Sequence, residues 1–381
     1  MKKKISIFTS GTFHFFDLSS ELSKSNNLEK IYSFRDFLRI LKWRNRTSLL
    51  KINNLESLFQ NEKRKIKNFK KKILNDNSDI IISHPGICEE IFISSNKEKL
   101  LDLSHFNWDQ ETINKLKNKK LKYFDINKPL DPNKFIMEKE ELRKRLPDDI
   151  FQNINFSNSE QTIKECEIAD KILVPTKNLK DCLISSGYPS DKIIHRTLGF
   201  DEEIFFPNIE NKEKYILYAG TVSHRKGWVS LKKFINLWNN SEFKLIIVGG
   251  IQKEIKKDFF DTISKSRNTK YLGQPFFRKS FAKYLRDAKL YLFPSYFEGF
   301  GLTILQALAS GTPAITSKAT CGSDLILNNY NGYVFDNFDM EMWVDKVYEI
   351  VSDNNKNLQM CANAFTSVKN FTWKRYIKQL S

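Results

Sequence analysis

Pro294-Ser295-Tyr296-Phe297-Glu298-Gly299-Phe300-Gly301-Leu302 runs without a break into Thr303-Ile304-Leu305-Gln306-Ala307-Leu308-Ala309-Ser310-Gly311-Thr312-Pro313. The apolar run Leu290–Phe293 ahead of it reads as a strand that stops at Pro294. Leu302–Ser310 reads as a helix, ended by Gly311 with Pro313 two residues on. Between them lies a tight turn carrying Glu298, Gly299 and Gly301. The two glycines let backbone approach a ligand closely, and the N–H groups that open a helix favour an anion. The stretch predicts an α/β unit whose strand-to-helix turn holds a phosphate beside a carboxylate.

The same alternation extends on both sides. Tyr215–Ala219 reads as a strand followed by Gly220-Thr221-Val222-Ser223-His224-Arg225-Lys226-Gly227, then by a helix over Trp228–Trp238. Lys244–Val248 is a strand closed by Gly249-Gly250; Lys270–Leu272 and Ala314–Thr316 are further strands. A separate series opens the chain. It comprises Ile5–Phe8 ending at Ser10-Gly11-Thr12, a helix from near Asp17, and strands over Asp79–Ser83, Leu100–Leu103 and Lys171–Val174. Alternation of this kind predicts parallel sheets, with ligands at the strands' carboxyl ends. At 381 residues the chain is long enough for two such domains, and the polar stretch 199–212 containing Pro207 reads as their junction. Residues 110–165 are polar and read as helix with loops.

The quoted string resembles the signature of GT-B retaining glycosyltransferases of the E-x7-E type (family 4, glycosyl transferases group 1). That pattern runs roughly P-S-x-x-E-G-F-G-L-x-x-L-E-A-x-A-x-G-x-P. Gly220–Gly227 is similar to the family's G-R-x-x-x-x-K-G. Leu198-Gly199-Phe200-Asp201, with Phe205 and Pro207, is similar to its G-V-D…F-x-P. The resemblance is specific over about 199–375 and only architectural before that. It implies two Rossmann-like domains facing across a cleft. Residues 1–200 would form the acceptor-binding domain and 201–365 the nucleotide-sugar domain. A C-terminal helix within 366–381, opening at Phe371-Thr372-Trp373, would cross back to the first domain.

For the site, the resemblance implies that Glu298 contacts the donor sugar and that backbone at Gly299, Phe300, Gly301 and Leu302 holds the distal phosphate. Lys226 matches the family lysine on the diphosphate. Two positions depart. Thr221 stands where the family has arginine, leaving Arg225 as the candidate second cation. Gln306 stands where a second glutamate binds the ribose, and an amide offers one acceptor oxygen where a carboxylate offers two. Gly220, Gly249 and Phe276 fall along the expected nucleotide wall. In the first domain, Gly11 and Thr12 are candidates to border the diphosphate or the acceptor, and His14 either joins them or caps the helix. His105, after the third strand, is a candidate catalytic residue, and His84 is a weaker one. The expected catalytic set is His105, Glu298, Lys226 and Arg225. Thr221 and Gln306 also allow a second reading, a catalytically degenerate binding or partner subunit. An epimerase or phosphorylase on the same two-domain fold is the rival enzyme reading.

No D-x-D triplet occurs, and basic groups are available to neutralise a diphosphate, so no metal and no cofactor beyond the donor are expected. No G-x-G-x-x-G follows the first strand of either domain, and no G-x-x-x-x-G-K-[ST] occurs, which argues against dinucleotide oxidoreductases and nucleotide triphosphatases. The five cysteines form no C-x-x-C pair, which argues against a disulfide framework or zinc site and fits a reducing cytoplasm. No stretch is apolar enough to span a bilayer. The net charge of +17 favours anionic partners. From Lys30 to Lys72 there are 14 Lys or Arg against Asp36, Glu56 and Glu62, interleaved with Phe34, Phe37, Leu38, Ile40, Leu41 and Trp43. That pattern fits either a surface for anionic lipid on the inner face of the plasma membrane or a solvated helical face; the family resemblance implies a glycan or lipid-linked acceptor. Nucleic-acid recognition motifs are lacking.

Overall fold

A computed structural model describes residues 3–9, 13–25, 27–33, 55–57, 71–84, 88–103, 165–185, 188–275, 277–296, 298–335 and 338–380. Gly11, Thr12, His105 and Phe276, most of the basic stretch 30–72 and nearly all of 110–165 lie outside them. The described chain divides into two units. One holds the residues up to 199 together with 371–380; the other holds 200–370.

The first unit contains β1 (Ile5–Thr9), α1 (Phe13–Lys24), β2 (Leu28–Ser33), β3 (Leu55–Ser57), β4 (Ile80–Ser83), α2 (Glu89–Ser94), β5 (Glu98–Asp102), β6 (Lys171–Val174), α3 (Lys177–Ser185) and β7 (Ile193–His195). Its strands form one parallel sheet in the order β3-β2-β1-β4-β5-β6-β7. Ile5, Ile7, Ile31, Ile80, Ile81, Ile82, Leu101 and Ile172 are buried in it, the continuous apolar runs that a parallel sheet covered on both faces requires. α1 starts four residues before the expected Asp17. Phe15, Leu18 and Leu22 are fully buried at helical spacing, and this apolar stripe outweighs the acidic start signal. Parts of the basic stretch are strand: Leu28–Ser33 and Leu55–Ser57 pair in register, with Ile31 and Tyr32 buried.

The second unit contains β8 (Glu213–Ala219), α4 (Trp228–Leu237), β9 (Lys244–Val248), α5 (Lys256–Lys265), β10 (Thr269–Tyr271), α6 (Arg278–Asp287), β11 (Ala288–Phe293), α7 (Leu302–Ala309), β12 (Ala314–Ser317), α8 (Gly322–Leu325), β13 (Gly332–Phe335), α9 (Met340–Ser352) and α10 (Asn354–Val368). Its sheet is also parallel, ordered β10-β9-β8-β11-β12-β13. β11 is buried along its whole length. α4 turns Trp228, Leu231, Phe234 and Ile235 inward at intervals of three and four. After α10, the last helix, α11 (Trp373–Lys378), packs against α1 in the first unit. Thr372 caps it by accepting from the Arg375 N–H at 3.3 Å, and Trp373, Tyr376 and Ile377 are buried. The returning element is therefore shorter than 366–381, because α10 runs on to Val368 within the second unit.

In each sheet the strand order reverses once, between β1 and β4 and between β8 and β11. The connections on either side of such a point diverge and leave a crevice at the carboxyl ends of the two central strands. At the second reversal β8 and β9 end on glycines packed against each other. Gly249 has φ +141, and a side-chain carbon on it would lie 1.9 Å from the Gly220 carbonyl oxygen. Gly273 also has positive φ (+73), but open space around it. Gly249→Ala is therefore expected to lower stability by on the order of 3 kcal/mol or more, strain and overlap together. Gly273→Ala should lose only the conformational part, about 1–2 kcal/mol. Urea unfolding of the two variants tests the difference; equal losses would show that the close approach at Gly249 is not a constraint.

Candidate functional site

The reversal between β8 and β11 brings together two loops that are some seventy residues apart in sequence. The first, from Gly220 to Gly227, leaves β8. The second, from Pro294 to Gly301, leaves β11. Gly227 joins them. It has φ +78, and a side-chain carbon there would lie 1.8 Å from the Pro294 carbonyl oxygen, so the basic loop closes onto the β11 loop only with glycine at this position. The Tyr296 N–H donates to the Arg225 carbonyl at 3.0 Å, and Glu298 N–H donates to the Ala319 carbonyl at 3.0 Å. The Tyr296 hydroxyl in turn lies 2.8 Å from the Ser230 hydroxyl and accepts from the Ser230 N–H, tying the β11 loop to α4.

The side chains converge on one atom. Glu298 Oε1 accepts from Lys226 Nζ at 2.7 Å and from Ser295 Oγ at 3.1 Å, and it lies 3.0 Å from Arg225 Nη1. Glu298 Oε2 accepts from none of the described residues. Exposure is graded: 9% for the Glu298 side chain, 17% for Lys226 and 29% for Arg225, so the carboxylate is the innermost group. Lys226 Nζ also sits 4.9 Å from the centre of the Phe293 ring, which stacks with Tyr218 and Tyr291. Tyr291 is fixed by hydrogen bonds between its hydroxyl and both the Ala219 carbonyl and the Thr303 hydroxyl, at 2.8 and 2.7 Å.

Burial alone would raise the Glu298 carboxyl. The charges of Lys226 and Arg225, with the hydrogen bonds from Lys226 and Ser295, outweigh it and hold the group at about 2. Burial also pulls the Lys226 ammonium below the ordinary lysine value, against the attraction of Glu298 and helped by the like charge of Arg225. With two cations and one carboxylate, the cluster carries one net positive charge at neutral pH, suited to an anion.

The turn completes the site. Gly301 caps α7 with φ +90, Phe300 is buried, and Leu302 opens the helix. The first N–H groups of a helix have no partner within it and present partial positive charge. Gln306 lies one turn further along α7 and is 6% exposed, on the same face as Leu302. Thr221 is exposed beside Gly250, and Gln252 accepts from the His224 N–H at 3.2 Å. The structure thus brings Arg225, Lys226, Glu298 and the Gly299–Leu302 turn together, with Gly220, Thr221 and Gly249 at the neighbouring strand ends. Ser295 and Phe293, which contact the charged cluster directly, were missing from the sequence reading. Ser295 lies inside the diagnostic string three residues before Glu298, and that spacing is its only signal.

In the first unit, His84 directly follows β4 and its ring lies 6.0 Å from that of Phe15. His14 is part of α1. It is 1% exposed and pairs with Asp102 through Nε2 and Oδ2 at 3.2 Å; burial removes it from the candidates that touch a ligand. No group of three or more His, Cys, Asp or Glu suited to a metal ion occurs among the described residues. Cys88, Cys166, Cys321 and Cys361 are free and buried.

Residues 199–367 match the family model described as Glycosyl transferases group 1. Among curated proteins the chain is similar to the GDP-mannose-dependent alpha-mannosyltransferase of Corynebacterium glutamicum, 26% identical over 226 residues, covering 56% of this chain and 52% of that protein. It is also similar to the capsular polysaccharide biosynthesis glycosyltransferase CapM of Staphylococcus aureus, 23% identical over 225 residues, covering 53% and 57%. The chain spans about half the length of the curated relatives it matches. Among solved structures it is similar to HepE of Anabaena in complex with UDP and glucose, with a TM-score of 0.68 at 14% identity, covering 99% of this chain and 98% of that one. That likeness concerns the fold, which is GT-B with two Rossmann-like domains.

The ion cluster makes a specific acid dependence. A carboxyl depressed on folding contributes stability that is complete above the ordinary glutamate value of 4.5 and is lost as pH falls toward about 2. A shift of that size corresponds to roughly 3 kcal/mol. Glu298→Gln is therefore expected to be less stable than the natural protein near neutral pH, with the gap narrowing as pH falls below about 4.5. Thermal unfolding of both proteins from about pH 7 to about pH 3 measures this; a gap that stays constant contradicts the charged assignment.

Proposed function

We propose that the chain is a retaining glycosyltransferase that moves a sugar from a nucleotide-diphosphate sugar to an acceptor hydroxyl, in assembly of a cell-surface polysaccharide or glycolipid. The observation that carries this reading is the convergence of Arg225 and Lys226 on Glu298 beside the N-terminus of α7. Cations and helix N–H groups supply the site for a diphosphate. The carboxylate supplies acceptors for sugar hydroxyls.

In this reading Lys226, Arg225 and the N–H groups of Gly299 to Leu302 hold the distal phosphate. Glu298 takes a hydroxyl of the donor sugar, and Gln306 contacts the ribose with one acceptor oxygen. Gly220 and Gly249 allow the nucleotide close to the backbone, with Thr221 and Phe276 along the same wall. His105, with Gly11 and Thr12, is assigned to the sugar and acceptor end. The bond between the anomeric carbon and the distal phosphate oxygen breaks. The acceptor oxygen bonds to that carbon on the same face, and its proton passes to the departing phosphate. Charge developing on that phosphate meets groups already oriented toward it, the most effective form of electrostatic catalysis. The reading assigns this neutralisation to Arg225, Lys226 and α7 and requires no metal.

The relatives bear on the setting. One is named as a GDP-mannose-dependent mannosyltransferase and another as a capsular polysaccharide enzyme. No helix among the described residues is long and apolar enough to cross a membrane, and we assign the chain to the cytoplasmic face of the plasma membrane through the basic stretch 30–72. Thr221 and Gln306 favour the alternative of a binding subunit without activity, and the retained Glu298–Lys226 pair favours an enzyme.

Three measurements test these proposals. A thermal-shift screen with nucleoside diphosphates and their sugars is expected to select one base, since ligands that bind the native state raise its stability. With the donor so found, Lys226→Ala should slow transfer by on the order of 2–4 kcal/mol of barrier. Transfer at the natural rate removes the diphosphate role, and binding with no transfer or donor hydrolysis selects the binding-subunit reading. Flotation with anionic vesicles at low salt should carry the protein upward and release it as salt rises; no flotation at low salt excludes the lipid surface.

A further inference from the structure

Arg225 and Lys226 are assigned to the diphosphate, yet both already face Glu298, and both on the same oxygen. We infer that Glu298 makes this site discriminate between a nucleoside diphosphate and its sugar, by competing with the diphosphate for the two cations unless a sugar hydroxyl engages the carboxylate. The inference rests on the donor site proposed above.

The argument follows from charge and burial. A diphosphate drawn against Lys226 and Arg225 places a second anion within one cation's breadth of Glu298. Lys226 is a compact point charge held on one side by Glu298 Oε1 and on another by the Phe293 ring, so it cannot turn fully to a phosphate while keeping both. Arg225 is the more exposed of the two cations and is the first able to swing away. As the cations shift, Glu298 loses the partners that keep it ionised, and at 9% exposure little water replaces them. Ser295 Oγ remains, at 3.1 Å, and one neutral donor is a weak substitute for two charges. A donor sugar restores the balance, because its hydroxyls donate to Glu298, with Oε2 open to them among the described residues. Nucleoside diphosphate alone brings no such donor. After transfer the sugar is gone, the repulsion returns, and the spent nucleotide is driven off. The same carboxylate thus orients the incoming donor and hastens departure of the product.

The test compares Kd for one nucleoside diphosphate and its nucleotide sugar, chosen as the pair with the largest thermal shifts, by calorimetry on the full chain. In Glu298→Gln the diphosphate is expected to bind roughly tenfold more tightly, since one repelling charge is removed. The nucleotide sugar should bind no more tightly than before, so the preference for the sugar form falls at least about tenfold. A preference unchanged in Glu298→Gln, or both ligands weakened equally, overturns the inference. A second measurement uses the unaltered protein and covers the case in which the variant fails to fold. Addition of the free monosaccharide of the matching donor is expected to tighten diphosphate binding, and its failure to do so also overturns the inference. If the natural protein binds neither nucleotide, the donor-site reading itself fails, a result distinct from either outcome.

Discussion

A carboxylate nine-tenths removed from water is tolerable only with positive charge against it, and in this protein Glu298 draws that charge from a loop some seventy residues away. Lys226 and Arg225 reach it only because β8 and β11 lie side by side where the strand order reverses, and because Gly227 lets the loop after β8 rest on the Pro294 carbonyl. The buried aromatic stack of Tyr218, Phe293 and Tyr291 floors the cluster and keeps water from Lys226 on that side. Topology, glycine geometry and aromatic packing thus serve one electrostatic requirement, and a net positive charge at the carboxyl ends of β8 and β11 is its by-product.

That dependence explains why the two departures from the family pattern are tolerable. Thr221 leaves the end of β8 without an arginine, but Arg225, one residue before Lys226, already stands 3.0 Å from Glu298. The cation is displaced along the loop and the charge is kept. Gln306 differs in kind. It sits on α7 away from the described contacts of Glu298, so exchanging a carboxylate for an amide there leaves the ion cluster intact. The exchange removes one acceptor oxygen from that face of α7 and leaves the charge around Glu298 as it was.

The second unit is legible in the sequence to the extent that its chemistry lies in contiguous strings. Residues 213–237 and 288–309 each carry strand, glycine turn and helix in order, and the structure brings Lys226 and Glu298 together as those strings imply. What the strings do not carry is the third dimension. Ser295 donates to Glu298 because the turn folds back on itself, and Phe293 meets Lys226 because β11 pairs with β8, from whose end the loop carrying Lys226 leaves; the sequence singles out neither contact. Short edge strands are hidden for a related reason. Leu55–Ser57 and Gly332–Phe335 are three and four residues long and, among the described residues, have a partner on one side only, too little for an apolar run to build. Leu28–Ser33 carries Glu29 and Lys30 amid its apolar residues, which masks a strand whose Ile31 and Tyr32 are fully buried.

The first unit shows the limit of reading a histidine by position. His14 and His84 both fall at the carboxyl edge of its sheet, where ligands gather in open parallel sheets. His14 nevertheless spends its ring on Asp102, with both groups 1% exposed, and stacks at 6.5 Å on Trp373 of α11. Asp102 ends β5 and Trp373 opens the returning helix, so this buried pair fastens the start of α1 to a strand end and to the last element of the chain. Gly199 makes that return possible: a side-chain carbon there would lie 2.5 Å from the Trp373 nitrogen. A polar pair so placed holds the carboxyl edge of the first unit's sheet. The cluster at Glu298 and Lys226 is different, because it reaches the surface through Arg225, whose side chain is 29% exposed. The contrast between a closed pair and an open cluster separates scaffold from site in this chain, and neither residue type nor position in the sequence expresses it.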